Sequence, residues 1–583
     1  MQIRVGTNNA TGRIAGAGAK LLKTTPSVAS AVVPGSGWVG ETAEEQFGSI
    51  KDSTYEAQSI AHWNAAPYQP LRSTIKASVI AFHINGIDRV EFAADGGDWV
   101  SVTTPTWNSE TSSYDYNVEL DVSNFTDATQ PEIRARVYPN GAGLSRVLSG
   151  WFVNVRSGAS EFAEVAYVDS VSGSDTTGDG TSGTPYRSIN KAIASLATLN
   201  GAAVYCKAGD YVMSEAAQYK MNEDEWLTIT TAPGVASGSV VVIPPVDDGD
   251  ADAWRENYRL RVQKIKWKNI TFDATEGGTM TAIAPNGATG DQLLTYAWID
   301  SCDMTGAWNA DTDPEATGQP GQKAANGALF SGGLYVTNTA MSRFEDGPLS
   351  ARLARGCSVS KCQGDLYSYI RCVVNCTADD NGTQSGAHRD MYQIGNDEPV
   401  DTTYDNYIFH NVKITSTYGQ GVFLGGDNAR FHNVAIVNVY CVCPINPPKG
   451  LWKNPANHLL FWHLSSDQEY TFPNDAFDFD GDGNIDGFPE VKSLSVRGCA
   501  FQIASSSSST FPSGWDDFFV SNHYEIDATS VQYSWGTDVT TGDLGNDFYD
   551  ASLEGRVTRV VGWDVNNNLR ANPSTVGAFE TQP

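Results

Sequence analysis

Five short segments of this chain share one pattern, in which an apolar run, an asparagine and often a second apolar run follow one another. They are Trp267-Lys-Asn269-Ile-Thr-Phe272, Val336-Thr-Asn338-Thr, Val374-Asn375-Cys376, Phe409-His-Asn411-Val-Lys-Ile414 and Phe431-His-Asn433-Val-Ala-Ile436. Asparagine suits a tight turn between strands because its short amide tolerates the left-handed backbone region that other side chains avoid. Amides stacked in a column can also hydrogen-bond from one coil to the next, which favours a solenoid over a single compact core. The step from Asn411 to Asn433 reads as one coil, and longer steps read as coils with inserted loops. Lys361 and Asn375 stand too close in sequence for both to belong to the column.

The rest of the composition agrees with an all-β chain. Among 583 residues there are 56 Gly, 15 Trp, 24 Tyr and 23 Phe but only 38 Lys plus Arg, a balance rich in turns and aromatics. The formal net charge of −30 repels nucleic acid, anionic membranes and polyuronate alike, so a neutral glycan is the easier partner. No segment has the roughly 18 apolar residues of a membrane span, and the start, Met1-Gln-Ile-Arg-Val, lacks the apolar run of a secretory signal. No membrane insertion and no signal peptide are expected. The nine cysteines are spread along apolar patterns, so they read as small core residues and predict neither a disulfide framework nor a zinc site.

Residues 1–72 are rich in Gly, Ala, Ser and Thr with little periodicity, and read as an N-terminal arm or adaptor. Residues 73–160 alternate apolar and polar positions in about seven short strands, with a hairpin signature at Val90-Glu-Phe92, Asp95-Gly96-Gly97 and Trp99-Val-Ser-Val102. That spacing predicts an immunoglobulin-like or fibronectin-like β-sandwich. From residue 161 the character changes again. Tyr167-Val-Asp-Ser-Val-Ser-Gly-Ser-Asp175, Gly178-Asp-Gly-Thr181, Thr184-Pro-Tyr-Arg-Ser-Ile189 and Lys191-Ala-Ile193 resemble the opening segment of pectate-lyase-like right-handed parallel β-helix proteins. Asn568-Leu-Arg-Ala and Val576-Gly-Ala-Phe-Glu580 resemble the closing segment of the same proteins. The resemblance implies a β-helix over residues 161–583, with residues 188–196 as an amphipathic helix capping its open end. It implies fold and not chemistry.

Asp478-Phe-Asp480-Gly-Asp482-Gly483-Asn484-Ile485-Asp486 sets oxygen ligands at alternate positions with Gly at the sixth, the layout of a calcium loop. Pro489 stands where a bidentate Glu usually lies, and Glu490 follows one place late. Calcium, in a structural role, is the expected cofactor, held by Asp478, Asp480, Asp482, Asn484, Asp486 and Glu490; the alternative is a solvated acidic turn.

A second constellation is Gly386-Ala-His388-Arg389-Asp390-Met-Tyr-Gln393. If its apolar run aligns with residues 421–424 and 458–463 on later coils, one face collects His388, Arg389, Asp390, Gln393, Gln420, His458, Trp462 and His463. His388 and Asp390 are candidates for general base and acid, the others for substrate binding, with Trp462 as a stacking platform for a pyranose. A His-x-Asp pair also forms a hydrogen-bonded turn, so groove and turn both remain open. His410 and His432 precede their asparagines alike and read as a stacked, exposed pair. The Arg-rich pectate lyase signature is missing, and Asp379-Asp380 lacks the Gly-His-Gly and Arg-Ile-Lys partners of polygalacturonases.

The combination of arm, sandwich and acidic solenoid resembles phage spike and fibre proteins. It predicts a virion-associated or extracellular protein that binds a surface glycan, meets other virion proteins through its arm, forms a homotrimer and carries depolymerase activity. Two other readings stay open: a free polysaccharide lyase or glycoside hydrolase, and a purely structural or decoration protein.

Overall fold

A computed structural model describes residues 57–157, 160–212, 224–243, 263–275, 296–307, 323–326, 333–344, 346–362, 364–379, 390–395, 402–415, 420–424, 429–441, 445–446, 456–462, 464–469, 491–497, 500–502, 523–526, 531–533, 567 and 569. The chain divides into two units, residues 1–161 and 162–583.

The first unit is a sandwich of two mainly antiparallel sheets. Ile60–Trp63, Thr74–Phe82, Ser113–Asp121 and Thr106–Asn108 form one; Gln69–Leu71, Arg146–Val155, Glu132–Pro139, Ile87–Ala94 and Val100–Val102 form the other. Alternate residues of both sheets, among them Ala77, Val79, Val118, Val90, Phe92, Ile133, Trp151 and Val153, share one buried cluster. Each such valine, isoleucine or phenylalanine contributes about 1.5–3 kcal/mol by leaving water. The expected hairpin pairs Phe92 with Val100, and its turn uses positive φ at Asp95 and Gly96. The sandwich takes in Ile60–Trp63 and Gln69–Leu71, so its start lies near residue 60 and not at residue 73.

The second unit is a right-handed parallel β-helix. Three strands make a full coil. Gly333–Thr337, Ala340–Ser342 and Asp346–Leu349 form one coil, and Leu353–Arg355, Ser358–Ser360 and Tyr367–Ser368 the next. Each strand pairs in parallel with its counterpart one coil on, which gives a first, a second and a third sheet. Trp267, Ile299, Val336, Ala354, Val373, Phe409 and Ile436 of the first sheet stack inward as one continuous core with Phe272, Met304, Met341 and Val359 of the second. The helix Ile189–Ser195 caps the open end; Ser188 accepts a hydrogen bond from the Lys191 N–H, and Ile189, Ala192 and Ile193 are buried.

The asparagine column exists, with a different membership. Asn269, Ser301, Asn338, Gly356, Asn375, Asn411 and Asn438 turn the chain from first to second sheet, all with φ between 51° and 64°. Asn411 Nδ2 donates to Asn375 Oδ1 (3.1 Å), and Asn438 Nδ2 to Asn411 Oδ1 (2.9 Å). At Gly356 a Cβ would approach Asn338 Oδ1 to 2.7 Å, and φ is positive, so glycine serves there. One coil therefore runs 27 residues from Asn411 to Asn438, and the step to Asn433 is no coil. Asn433 shares a separate left-handed corner with Asn406 and His458. Lys361, also at positive φ, ends the second-sheet strand Ser358–Ser360 as Arg343 ends the one before. It and Asn375 occupy different corners. Cys302, Cys357 and Cys376 each follow a column residue and are buried, as are all the described cysteines.

From residue 353 onward the outer face of the first sheet is also buried. Leu353, Cys372, Ile408, Ala435 and Leu460 stand at matched registers, as do Val374, His410, Val437 and Trp462, and all are buried. Strands covered on both faces carry continuous apolar runs without alternation.

Candidate active site

The third sheet orders its strands as Lys323–Asn326, Asp346–Leu349, Tyr367–Ser368, Asp390–Ile394, Gln420–Leu424 and Ile445–Asn446. Its register sets Lys323 beside Asp346 and Asp390 beside Gln420. Between them the Gly347 N–H donates to the Asp365 carbonyl and the Leu366 N–H to the Asp390 carbonyl. Asp346, Asp365 and Asp390 thus occupy one position on three successive coils. Adjacent parallel strands lie about 4.8 Å apart, so the carboxylates form a ladder with that backbone step.

The sequence builds this ladder from a repeated tetrad, Asp365-Leu-Tyr-Ser368 and Asp390-Met-Tyr-Gln393. The tyrosines anchor each rung inward. Tyr367 donates to the carbonyls of Cys357 (3.2 Å) and Thr377 (2.9 Å), while Tyr392 donates to the Ile370 carbonyl (3.1 Å) and stacks on Phe409 with centroids 4.1 Å apart.

The rungs differ in environment. Asp346 Oδ1 accepts the Asp365 N–H (3.0 Å), which ties Asp346 to the backbone of the next coil. Asp365 is half-buried and accepts from Ser368 Oγ (2.7 Å). Asp390 has 0% exposure. Burial, with the Asp365 charge added to it, pushes its pKa up to about 8, so Asp390 keeps its proton at neutral pH. A buried carboxylic acid beside a half-buried carboxylate is an arrangement suited to proton donation and nucleophilic or base chemistry.

Of the residues singled out from sequence, the structure brings Asp390, Gln393 and the Gln420 backbone onto neighbouring strands of this sheet. His458 and Trp462 are elsewhere. Their strand, Ala456–Trp462, pairs with Ala429–Cys441 in the first sheet, whereas Gln420–Leu424 continues into Ile445–Asn446. Trp462 is packed on the covered outer face of the first sheet, away from the third-sheet ladder. His458 is buried with Nδ1 3.0 Å from Asn433 Oδ1. The alignment failed because 458–462 and 421–424 are both apolar runs, and period alone does not assign a run to one of three sheets.

His410 and His432 are not a stacked exposed pair. His410 is buried, its Nδ1–H donates to the Val437 carbonyl (3.2 Å), and burial lowers its pKa to about 3. His432 is registered with Asp405 and Asn457. Asp379 is exposed at the end of a second-sheet strand, away from the ladder. His388, Arg389, Asp380 and His463 lie outside the described residues, as do Asp478, Asp480, Asp482, Asn484, Asp486 and Glu490, the residues expected from sequence to hold calcium. Among the described residues no group of three or more His, Cys, Asp or Glu side chains is arranged to hold a metal ion.

Sequence reasoning missed Asp346, Asp365 and Ser368; the repeated tetrad was the signal that marks two of them. A second polar cluster, on the outer face of the first sheet, is internally closed. Lys266 Nζ sits 3.0 Å from Asp300 Oδ2 and 3.3 Å over the Trp298 ring, Trp298 Nε1 donates to Thr337, and Thr337 donates to Asp300. Its groups satisfy one another.

No protein-family model matches the chain, and no curated protein matches it. Among solved structures, the Yersinia enterocolitica family 28 exopolygalacturonase aligns at 11% identity over 75% of this chain and 95% of its own, with a TM-score of 0.30. The catalytic domain of a GH87 alpha-1,3-glucanase in complex with tetrasaccharides aligns at 10% identity over 77% and 87%, with a TM-score of 0.22. Likenesses this distant carry no argument about activity.

Proposed function

We propose that the third-sheet ladder is a glycoside-cleaving centre in a virion-spike type of protein that binds and depolymerises a neutral surface polysaccharide. The observation that carries the reading is the pairing of Asp390, a buried acid, with Asp365, a carboxylate, at one register of adjacent coils. Asp390 would give its proton to the glycosidic oxygen as the bond to the anomeric carbon breaks. Asp365 would attack that carbon, and water, deprotonated by Asp390, would then release the sugar from the ester. The one-coil step of about 4.8 Å lies nearer the about 5–5.5 Å carboxyl separation of retaining enzymes than the about 6.5–9.5 Å of inverting ones. Asp346, already bound to the Asp365 N–H, is less free to serve as the second group.

Three aspartates in file on a chain of net charge −30 disfavour a polyuronate, which supports a neutral substrate. In this reading the sandwich is a spacer, residues before it dock to other virion proteins in a homotrimer, and the 478–490 loop holds a structural calcium ion. The test is a panel of neutral and uronic polysaccharides assayed for new reducing ends. Release from at least one neutral polymer, with the starting anomeric configuration retained in the first product, is expected. Release from none, or from uronic polymers alone, would overturn the reading.

A further inference from the structure

The two tetrads of the ladder differ at their fourth residue, and the difference falls on hydrogen bonding. Ser368 and Gln393 occupy the same register on adjacent coils, and both are buried. Ser368 Oγ turns back three residues to donate to Asp365 Oδ2 at 2.7 Å. Gln393 Nε2 instead donates forward to the Gly395 carbonyl at 3.0 Å, where positive φ at Gly395 turns the chain out of the sheet.

Resting on the function proposed above, we infer that Ser368 is a positioning residue that holds Asp365 as the carboxylate of the pair. A donor aimed at a carboxylate oxygen favours its charged form. It also fixes the rotamer, and a nucleophile needs both. The charged or titratable residues at this register in the described coils are Lys323, Asp346, Asp365 and Asp390. Of these, Asp346 accepts the Asp365 N–H and stands one coil from Asp365 on the side away from Asp390. Asp365 therefore lies between two other aspartates, where its ionised form needs a donor most.

The test is ¹³Cγ-aspartate NMR titration of the full chain, with resonances assigned by Asp365→Asn and Asp390→Asn. Ser368→Ala is expected to raise the Asp365 midpoint by roughly half a unit to one unit, and Ser368→Thr, which restores the hydroxyl, to return it. An unmoved Asp365 midpoint in Ser368→Ala would overturn the inference. If Ser368→Ala does not fold, an Asp365 midpoint unmoved in Ser368→Cys, which replaces the hydroxyl with a much weaker donor, would do so. Because titration needs no substrate, it reads the tuning separately from cleavage. Loss of the function reading would show as unchanged reducing-end release in Asp365→Asn and Asp390→Asn. If cleavage proceeds, Ser368→Ala should lower kcat and shift the acidic limb of the rate profile upward with KM little changed; a lower Tm with an unshifted profile would mark Ser368 as structural only.

Discussion

Asp390 and Asp365 stand one coil apart at the same register of the third sheet, and the charge of Asp365 adds to burial in lifting Asp390 to a pKa of about 8. Two carboxyl groups of one residue type are thereby driven apart in protonation by where each one sits.

The raised Asp390 couples folding to pH. The folded chain holds this proton up to about pH 8, while the unfolded chain releases it near 4. Between those values the folded state binds more protons, so the Asp390 contribution to stability is full below about pH 4 and is lost as pH rises to 8. Relative to Asp390→Asn, the native chain should lose about 1.4 kcal/mol per pH unit across that window. Urea denaturation of both proteins at pH 5 and pH 7.5 measures it; parallel pH dependences would contradict the assignment.

His410 acts in the opposite sense at lower pH. Its folded pKa is depressed to about 3, so the unfolded chain takes up a proton first as pH falls through 6.5, and stability drops from there toward pH 3. His410→Gln should flatten this loss, which reaches about 1.4 kcal/mol per pH unit. Thermal unfolding between pH 7 and pH 4.5 is the measurement, and equal acid sensitivity in both proteins is the opposing result.

Trp462 is packed on the covered outer face of the first sheet. Trp462→Ala should cost about 3–5 kcal/mol of stability and leave glycan affinity unchanged in the folded fraction. Weakened binding with full stability would return Trp462 to a sugar-facing role.

If residues 478–490 hold calcium as proposed, chelator should lower Tm, because an ion bound only by the folded chain stabilises it by mass action. Asp480→Ala with Asp482→Ala should abolish that sensitivity. Calorimetry without calcium uptake by the intact chain would dismiss the site.

Part of this architecture is legible in the amino-acid sequence. The opening segment and its capping helix carry local signals, a Ser188 cap and apolar spacing at Ile189, Ala192 and Ile193, and local signals survive in sequence. The column at Asn269, Asn338, Asn375 and Asn411 was visible because left-handed corners select so few residues. The period was not, since Asn433 meets the same steric demand at another corner and nothing in its side chain says which. The ladder was half hidden for a related reason. Asp346 and Asp365 are 19 residues apart, whereas the asparagine column of the same solenoid steps by 36 from Asn375 to Asn411, so no fixed period leads from Asp390 back to its partners. Alignment by apolar runs instead led to Trp462, whose strand belongs to another sheet.

If Asp390 donates the proton and Asp365 is its carboxylate partner, reducing-end release on one neutral polysaccharide must separate the native chain from Asp390→Asn and Asp365→Asn. Each substitution preserves shape; loss of the positioned acid lowers rate by about 10²–10⁴-fold, and loss of the attacking carboxylate removes the covalent route. A loss of at least that size is expected in both variants with glycan binding retained, together with a native rate that declines above pH 8. Release at the native rate in either variant would contradict it.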